Sequence, residues 1–279
     1  MSAEERIPPV DGVAVRLTTG GGHLTLDFPD TCEARIVRRM WSRCLTETSV
    51  DLNDSPVVDA PLSPYGSRAP STREHEEIAD SATTAAITAG RGMRLMFHAA
   101  GLSDVTTGRT AALIAPSGTG KTTICAMLGP HFGYVTDETV IVDPTTLAVT
   151  PFPKPLSVLG PTGRRPKTLR SPDELGLLHP PEDSALHAMV LLARNPHHAG
   201  PPLLETLSLS EGLQEILPQT SSVSALDRGL TQLCTTIDRV GGLRRLHYAE
   251  AESVLDLVSE LLTEDPQDDA PPKWKPVPT

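Results

Sequence analysis

The chain has 279 residues, 38 % hydrophobic and 3 % aromatic, with 35 acidic side chains against 24 basic ones and a formal charge of −11. That length gives one or two domains, with a core of Leu, Val, Ile and Ala large enough to need no disulfide or metal staple. The acidic balance argues against a nucleic-acid binder, and no apolar run reaches the ~18 residues of a membrane span.

Residues 1–12 read as a frayed lead, and their opening lacks the apolar core of a secretory signal. The four cysteines, Cys32, Cys44, Cys125 and Cys234, fit no metal or redox spacing. They are expected as small buried groups in a reduced compartment, so a cytoplasmic protein with neither nucleic-acid nor membrane partner is predicted. Alternating apolar residues predict strands over 13–17 and 23–28, joined by a glycine turn at 20–22. Ile36, Val37, Met40, Trp41 and Cys44 share one helical face and predict a helix over 33–45. Residues 46–72, rich in Ser, Pro, Asp and Gly, read as a loop.

Ser71 or Thr72 is the expected N-cap of a helix running to about residue 89, followed by a strand over 93–97 that ends at His98. A turn at 101–109 and a continuous apolar strand over 110–115 come next. A helix opens near Lys121 with Ile124, Cys125, Met127 and Leu128. Strands over 139–142 and 147–152 flank an Asp-Pro-Thr-Thr turn. Residues 153–184 are proline-rich and carry Arg164, Arg165, Lys167 and Arg170. A buried strand is predicted over 188–193, with the loop 194–202 after it, and a helix with Leu226, Leu230, Leu233 and Ile237 on one face. A strand over 243–248 and a closing helix over 249–262 complete the order, before a charged, proline-rich tail at 263–279 that is expected to stay disordered. The expected organisation is an N-terminal α+β region over 1–72, an α/β nucleotide-binding domain over 73–262, and the tail.

The chemistry concentrates at Ala115-Pro116-Ser117-Gly118-Thr119-Gly120-Lys121-Thr122, set between an apolar strand and a helix. This is a P-loop context. Successive backbone amides backed by a helix N-terminus make an anion nest, and Gly118 and Gly120 let the chain turn close to a phosphate. Lys121 supplies a point charge to the outer phosphates, and Thr122 places a hydroxyl on Mg²⁺. The residues expected to bind nucleotide are Pro116, Ser117, Gly118, Thr119, Gly120, Lys121, Thr122 and Thr123. The strict pattern begins with Gly where this chain has Ala115. Asp137-Glu138 follows the loop and ends an apolar stretch. A carboxylate there would hold Mg²⁺ or accept a hydroxyl proton.

Together His98-Ala99-Ala100, the 115–122 loop, Tyr134-Val-Thr-Asp137-Glu138 and Pro153-Lys-Pro-Leu-Ser157 resemble the HPr kinase/phosphorylase superfamily. The resemblance spans about residues 90–160, with a weaker echo to 262. It implies an α/β P-loop kinase core related to phosphoenolpyruvate carboxykinase and ATP·Mg-dependent transfer of a phosphoryl group to a hydroxyl. It also implies catalytic roles for His98, Lys121, Asp137 and Glu138, with Mg²⁺ on Thr122 and Asp137. Which acid takes the proton stays open. The acidic pair is Asp-Glu rather than Asp-Asp, the longer family signature is absent after Ser157, and the first 90 residues do not match the family's N-terminal domain. A relative with another acceptor (protein, peptide or small molecule) is therefore expected rather than a true HPr kinase. A homo-oligomer is a further expectation. The competing readings are a nucleotide-binding switch or scaffold, and a binding module that has lost its chemistry. Lys273-Trp274-Lys275 reads as plain tail.

Overall fold

The computed structural model of the chain describes residues 13–28, 31–46, 57–59, 72–159 and 167–264. The predicted lead, the Ser71/Thr72 cap, Arg164, Arg165 and the tail beyond residue 264 lie outside the described residues or side chains.

A mixed nine-stranded sheet organises the fold. Its centre is β5 (Arg109–Ile114), an unbroken apolar strand buried on both faces, as strands covered on two sides must be. On one flank lies the parallel β11 (Ala185–Arg194), with Leu191 level with Ile114, then the parallel β14 (Leu243–Tyr248) and the antiparallel edge β12 (Leu203–Thr206). On the other flank lies the antiparallel β4 (Leu95–Ser103), with Ala99 level with Ile114. β6 (Gly133–Thr136) and β7 (Thr139–Val142) both pair with β4, and β8 (Val149–Thr150) closes the edge.

Alternation along β5 sorts the core into two layers. Ala111 and Leu113 face a cluster with α3 (Lys121–Leu128) and α6 (Leu255–Thr263). Ala112 and Ile114 face Leu233 and Ile237 of α5 (Gly229–Arg239), with α4 (Leu209–Ile216) beside it. A third cluster joins β1 (Val13–Thr19), β2 (Gly22–Phe28), α1 (Thr31–Met40) and α2 (Thr72–Gly90) to Met96 and Ile141 of the main sheet and to Phe152 beyond β8.

Several expectations need correction. The 46–72 segment contains β3 (Val57–Asp59), which pairs parallel with β2. The helix predicted to reach residue 45 stops at Met40 because Trp41 leaves helical geometry and a short 3₁₀ turn, Ser42–Cys44, follows. β4 runs on through His98 to Ser103, so the turn is confined to 104–108, where Asp104 accepts the Thr106 and Thr107 amides. Gly101, expected in the turn, is strand and lies under Val135 and Val140, where a Cβ would press at 3.0 Å. Within 153–184, β9 (Leu156–Leu159) and β10 (Lys167–Arg170) form a separate two-stranded ribbon. Met127 and Leu230 face solvent, and Leu226 precedes its helix. Cys32 is exposed and Cys234 half-buried, whereas Cys44 and Cys125 are buried. α4 and β12 were not anticipated, although Ser208 and Glu211 form a capping box that marks the α4 start.

Candidate phosphate and acidic site

Strand β5 ends at Ile114, the loop peels away, and α3 begins at Lys121. Gly118 at φ +86° and Gly120 at φ +108° hold the left-handed backbone that a side chain would strain. No atom lies within 4 Å of the place a Cβ would take on Gly118. Thr119 closes the loop on itself by donating to the Pro116 carbonyl at 3.0 Å. Pro116, Ser117 and Gly118 are exposed, and so is Thr123 in the first turn of α3. The amides of Ser117, Gly118, Thr119 and Gly120 find no acceptor among the described residues. Unpaired donors ahead of a helix N-terminus suit an anion.

Lys121 is buried, with 6 % exposure. Its ammonium donates to the Ala115 carbonyl at 2.7 Å, to the Pro116 carbonyl at 3.0 Å and to His98 Nε2 at 2.8 Å. All three acceptors are neutral, and burial pushes the Lys121 pKa down to about 8 against the opposing pull of Glu138 and Asp137. Because Nε2 accepts from Lys121, His98 carries its proton on Nδ1, which faces the Glu138 carbonyl at 3.2 Å and its Oε1 at 3.4 Å. Burial and the Lys121 charge lower the His98 pKa and keep the ring neutral.

The acidic pair splits into two environments. Asp137 is 3 % exposed and fully partnered. Thr122 donates to its Oδ2 at 2.7 Å, Tyr134 donates to Oδ1 at 3.1 Å, and Lys154 reaches Oδ1 at 3.0 Å. Burial alone would raise the Asp137 carboxyl, but the Lys154 charge and these hydrogen bonds outweigh it and hold the pKa below its ordinary value. Burial likewise opposes charge on Lys154, and Asp137 and Glu138 overcome it and raise the pKa. The Glu138 side chain is 35 % exposed and lies 3.6 Å from Lys154. Thus His98, Lys121, Thr122, Asp137 and Glu138 converge around the loop.

Lys154 and Tyr134 belong to the same cluster, and sequence reasoning assigned them no role. The signal for Lys154 was a lone cation between two prolines in an apolar neighbourhood, with two acids awaiting a partner.

The donor set fits a hard cation. Thr122 spends its proton on Asp137 and keeps its oxygen lone pairs free. Among the described residues no three His, Cys, Asp or Glu side chains form a cage. Mg²⁺ at a nucleotide site needs only one or two protein oxygens and completes its shell with phosphates and water. Thr122 would hold the ion, with Asp137 behind it. A surface groove of about 670 Å³ lies away from the loop. It is lined by residues of the 217–231 segment and reaches Thr220 of β13 (Thr220–Ser221), which pairs with Phe97 beside His98.

A scan against protein-family models matches none, and a search of curated proteins finds no relative. Among solved structures the chain is similar to the HPr(Ser) kinase/phosphatase from Coxiella burnetii. The identity is 12 %, over 60 % of this chain and 93 % of that one, with a TM-score of 0.33. This is a distant structural likeness, so any function has to rest on the residues themselves. Among the described residues no helix is long and apolar enough to cross a membrane.

Proposed function

We propose that the protein is a P-loop phosphotransferase of the HPr kinase-like type, moving a phosphoryl group from ATP to a hydroxyl. The observation that carries this reading is the meeting of an amide-rich loop, Lys121, Thr122 and a split acidic pair at the end of one strand. Phosphoryl transfer asks a protein for alignment and charge neutralisation rather than covalent help. The loop amides cradle the phosphates, and Lys121 exchanges its three neutral acceptors for phosphate oxygens. Thr122, steadied by Asp137, holds Mg²⁺, which when bound neutralises charge on the phosphates.

Asp137 is buried and already accepts from Thr122, Tyr134 and Lys154, so it is poorly placed to take a substrate proton. Glu138 is the accessible acid and is the base in this reading. It takes the proton of the acceptor hydroxyl as that oxygen bonds to phosphorus and the bond to the ADP oxygen breaks. The acceptor enters from the β4 side, where the groove reaches Thr220 beside His98.

The test incubates γ-labelled ATP·Mg and pooled serine peptides or small hydroxyl compounds with wild type, Lys121→Ala and Glu138→Gln. Wild type is expected to add 80 Da to an acceptor. Glu138→Gln should bind ATP normally and transfer about 10²- to 10⁴-fold more slowly, the usual worth of a positioned base. Release of phosphate without transfer, unchanged by Glu138→Gln, would instead identify a nucleotide switch. No binding by either wild type or Lys121→Ala would leave the binding-module reading.

A further inference from the structure

Strand order gives the site two flanks. β4 lies on one side of β5 and brings His98 and, through β7, the acidic pair. β11 lies on the other side and brings Arg194. Leu191 is level with Ile114 where β5 ends, so Arg194 stands three residues past it, about 10 Å further on at ~3.3 Å per residue. That places it at the height of the loop rather than of the strand. Its Cδ passes 3.9 Å from the place a Cβ would take on Gly120.

The guanidinium is held from behind. Nε donates to the Ala249 carbonyl at 2.9 Å, and Nη2 lies 3.3 Å from Glu250 Oε2. Both anchors follow directly on β14, in the turn before the 3₁₀ segment Ala251–Val254, which packs against α3. Nη1 has no acceptor among the described residues, and the side chain is 39 % exposed. The same corner contains the buried Tyr248 hydroxyl, which also lacks a partner among the described residues and whose pKa burial pushes up to about 12, against the lowering effect of the Arg194 charge. A corner with hydrogen bonds to give and a fixed cation whose one ion-pair partner among the described residues is the exposed Glu250 suits an anion.

We propose that Arg194 binds the inner phosphates of the nucleotide, those shared by ADP and ATP. The inference rests on the nucleotide-binding reading above and adds an orientation to it. The transferable phosphate lies toward His98 and Glu138 on the β4 flank, and the inner phosphates lie toward Arg194 on the β11 flank. The planar fork of an arginine, pinned at two nitrogens, presents its remaining edge with little entropy left to lose. Lysine at this position would keep the charge and lose the pinning.

The test is calorimetric titration of wild type, Arg194→Ala, Arg194→Lys and Lys121→Ala with ATP·Mg, ADP·Mg and adenosine, each variant's folding checked by its unliganded melting curve. Arg194→Ala is expected to weaken ATP and ADP alike by about tenfold or more, which is 1.4 kcal/mol or more, and to leave adenosine unchanged. Arg194→Lys should recover only part of the loss. Weakening of ATP alone would place the contact on the outer phosphate and overturn the orientation. Unchanged binding by Arg194→Ala, with Lys121→Ala defective, would overturn the Arg194 assignment and leave the loop intact. No nucleotide binding by wild type would remove both.

Discussion

Two lysines of equal burial separate the open half of the site from the closed one. Lys121 and Lys154 are each 6 % exposed. Lys121 sits among carbonyls and a neutral imidazole, and burial drives its pKa down to about 8. Lys154 sits between Asp137 and Glu138, and its pKa is raised despite the burial. The loop half has a charge and a row of amides with no anion bonded to them among the described residues. The 134–154 half has already matched its charges. In the proposed reading the first half receives the ligand, and the second holds Thr122 and Glu138 in place.

The largest effect should come from breaking the closed half. Lys154→Met leaves Asp137 buried with no cation, a situation that typically costs about 3–5 kcal/mol. Denaturant unfolding should register that loss, and the double variant Asp137→Asn/Lys154→Met should recover a good part of it. Lys121→Met removes a charge with no buried carboxylate in contact, so its stability should stay within ~1 kcal/mol of wild type. Equal losses for the two lysines would abolish the distinction between the halves.

A smaller effect tests what backs the closed half. The Arg43 side chain is 5 % exposed and ties the N-terminal cluster to the 173–178 segment. Its Nε donates to Asp173 at 2.7 Å, Nη2 to the Leu177 carbonyl at 2.5 Å and Nη1 to the Leu178 carbonyl at 3.1 Å. Next to it Cys44, its thiol pushed up to about 12 by burial, lies close enough to Lys154 to feel its charge. Arg43→Met should cost about 1.5–3 kcal/mol, the worth of hydrogen bonds from a charged donor, and leave ATP·Mg affinity unchanged in calorimetry. A tenfold fall in affinity would mean that the N-terminal cluster sets the site's geometry.

The open half was the legible one. A glycine loop between an apolar strand and a helix carries its chemistry in consecutive residues, so spacing alone exposes Gly118, Gly120, Lys121 and Thr122. Asp137-Glu138 was visible as a pair, but the division of labour between them was not. That division depends on Lys154 and Tyr134, and on burial that only packing decides. Arg194 carries no local motif that marks it in the sequence. Arg194 reaches the loop because β11 pairs with β5, a matter of strand order that no local spacing encodes. The α4 start could have been read from Ser208 and Glu211, since a capping box is a local signal.

The smallest effect is a fraction of a proton, and it reads Lys121 directly. Burial brings the Lys121 pKa down to about 8, so near pH 8 the neutral amine is substantially populated. Phosphate oxygens replacing neutral acceptors favour the charged form and raise that pKa. Binding therefore takes up protons at and above pH 8, and almost none at pH 6.5, where the lysine is already charged. By linkage, affinity is flat below pH 7 and falls as the pH climbs through 8 toward the pKa of the bound state. Titrating ATP·Mg at pH 8 in two buffers of different ionisation enthalpy measures the uptake as the difference in apparent binding enthalpy. Wild type should show it, and Lys121→Met should not. An uptake that survives in Lys121→Met would assign the titrating group elsewhere, and an absence in wild type would mean that Lys121 is already charged and matched before the ligand arrives, as Lys154 is.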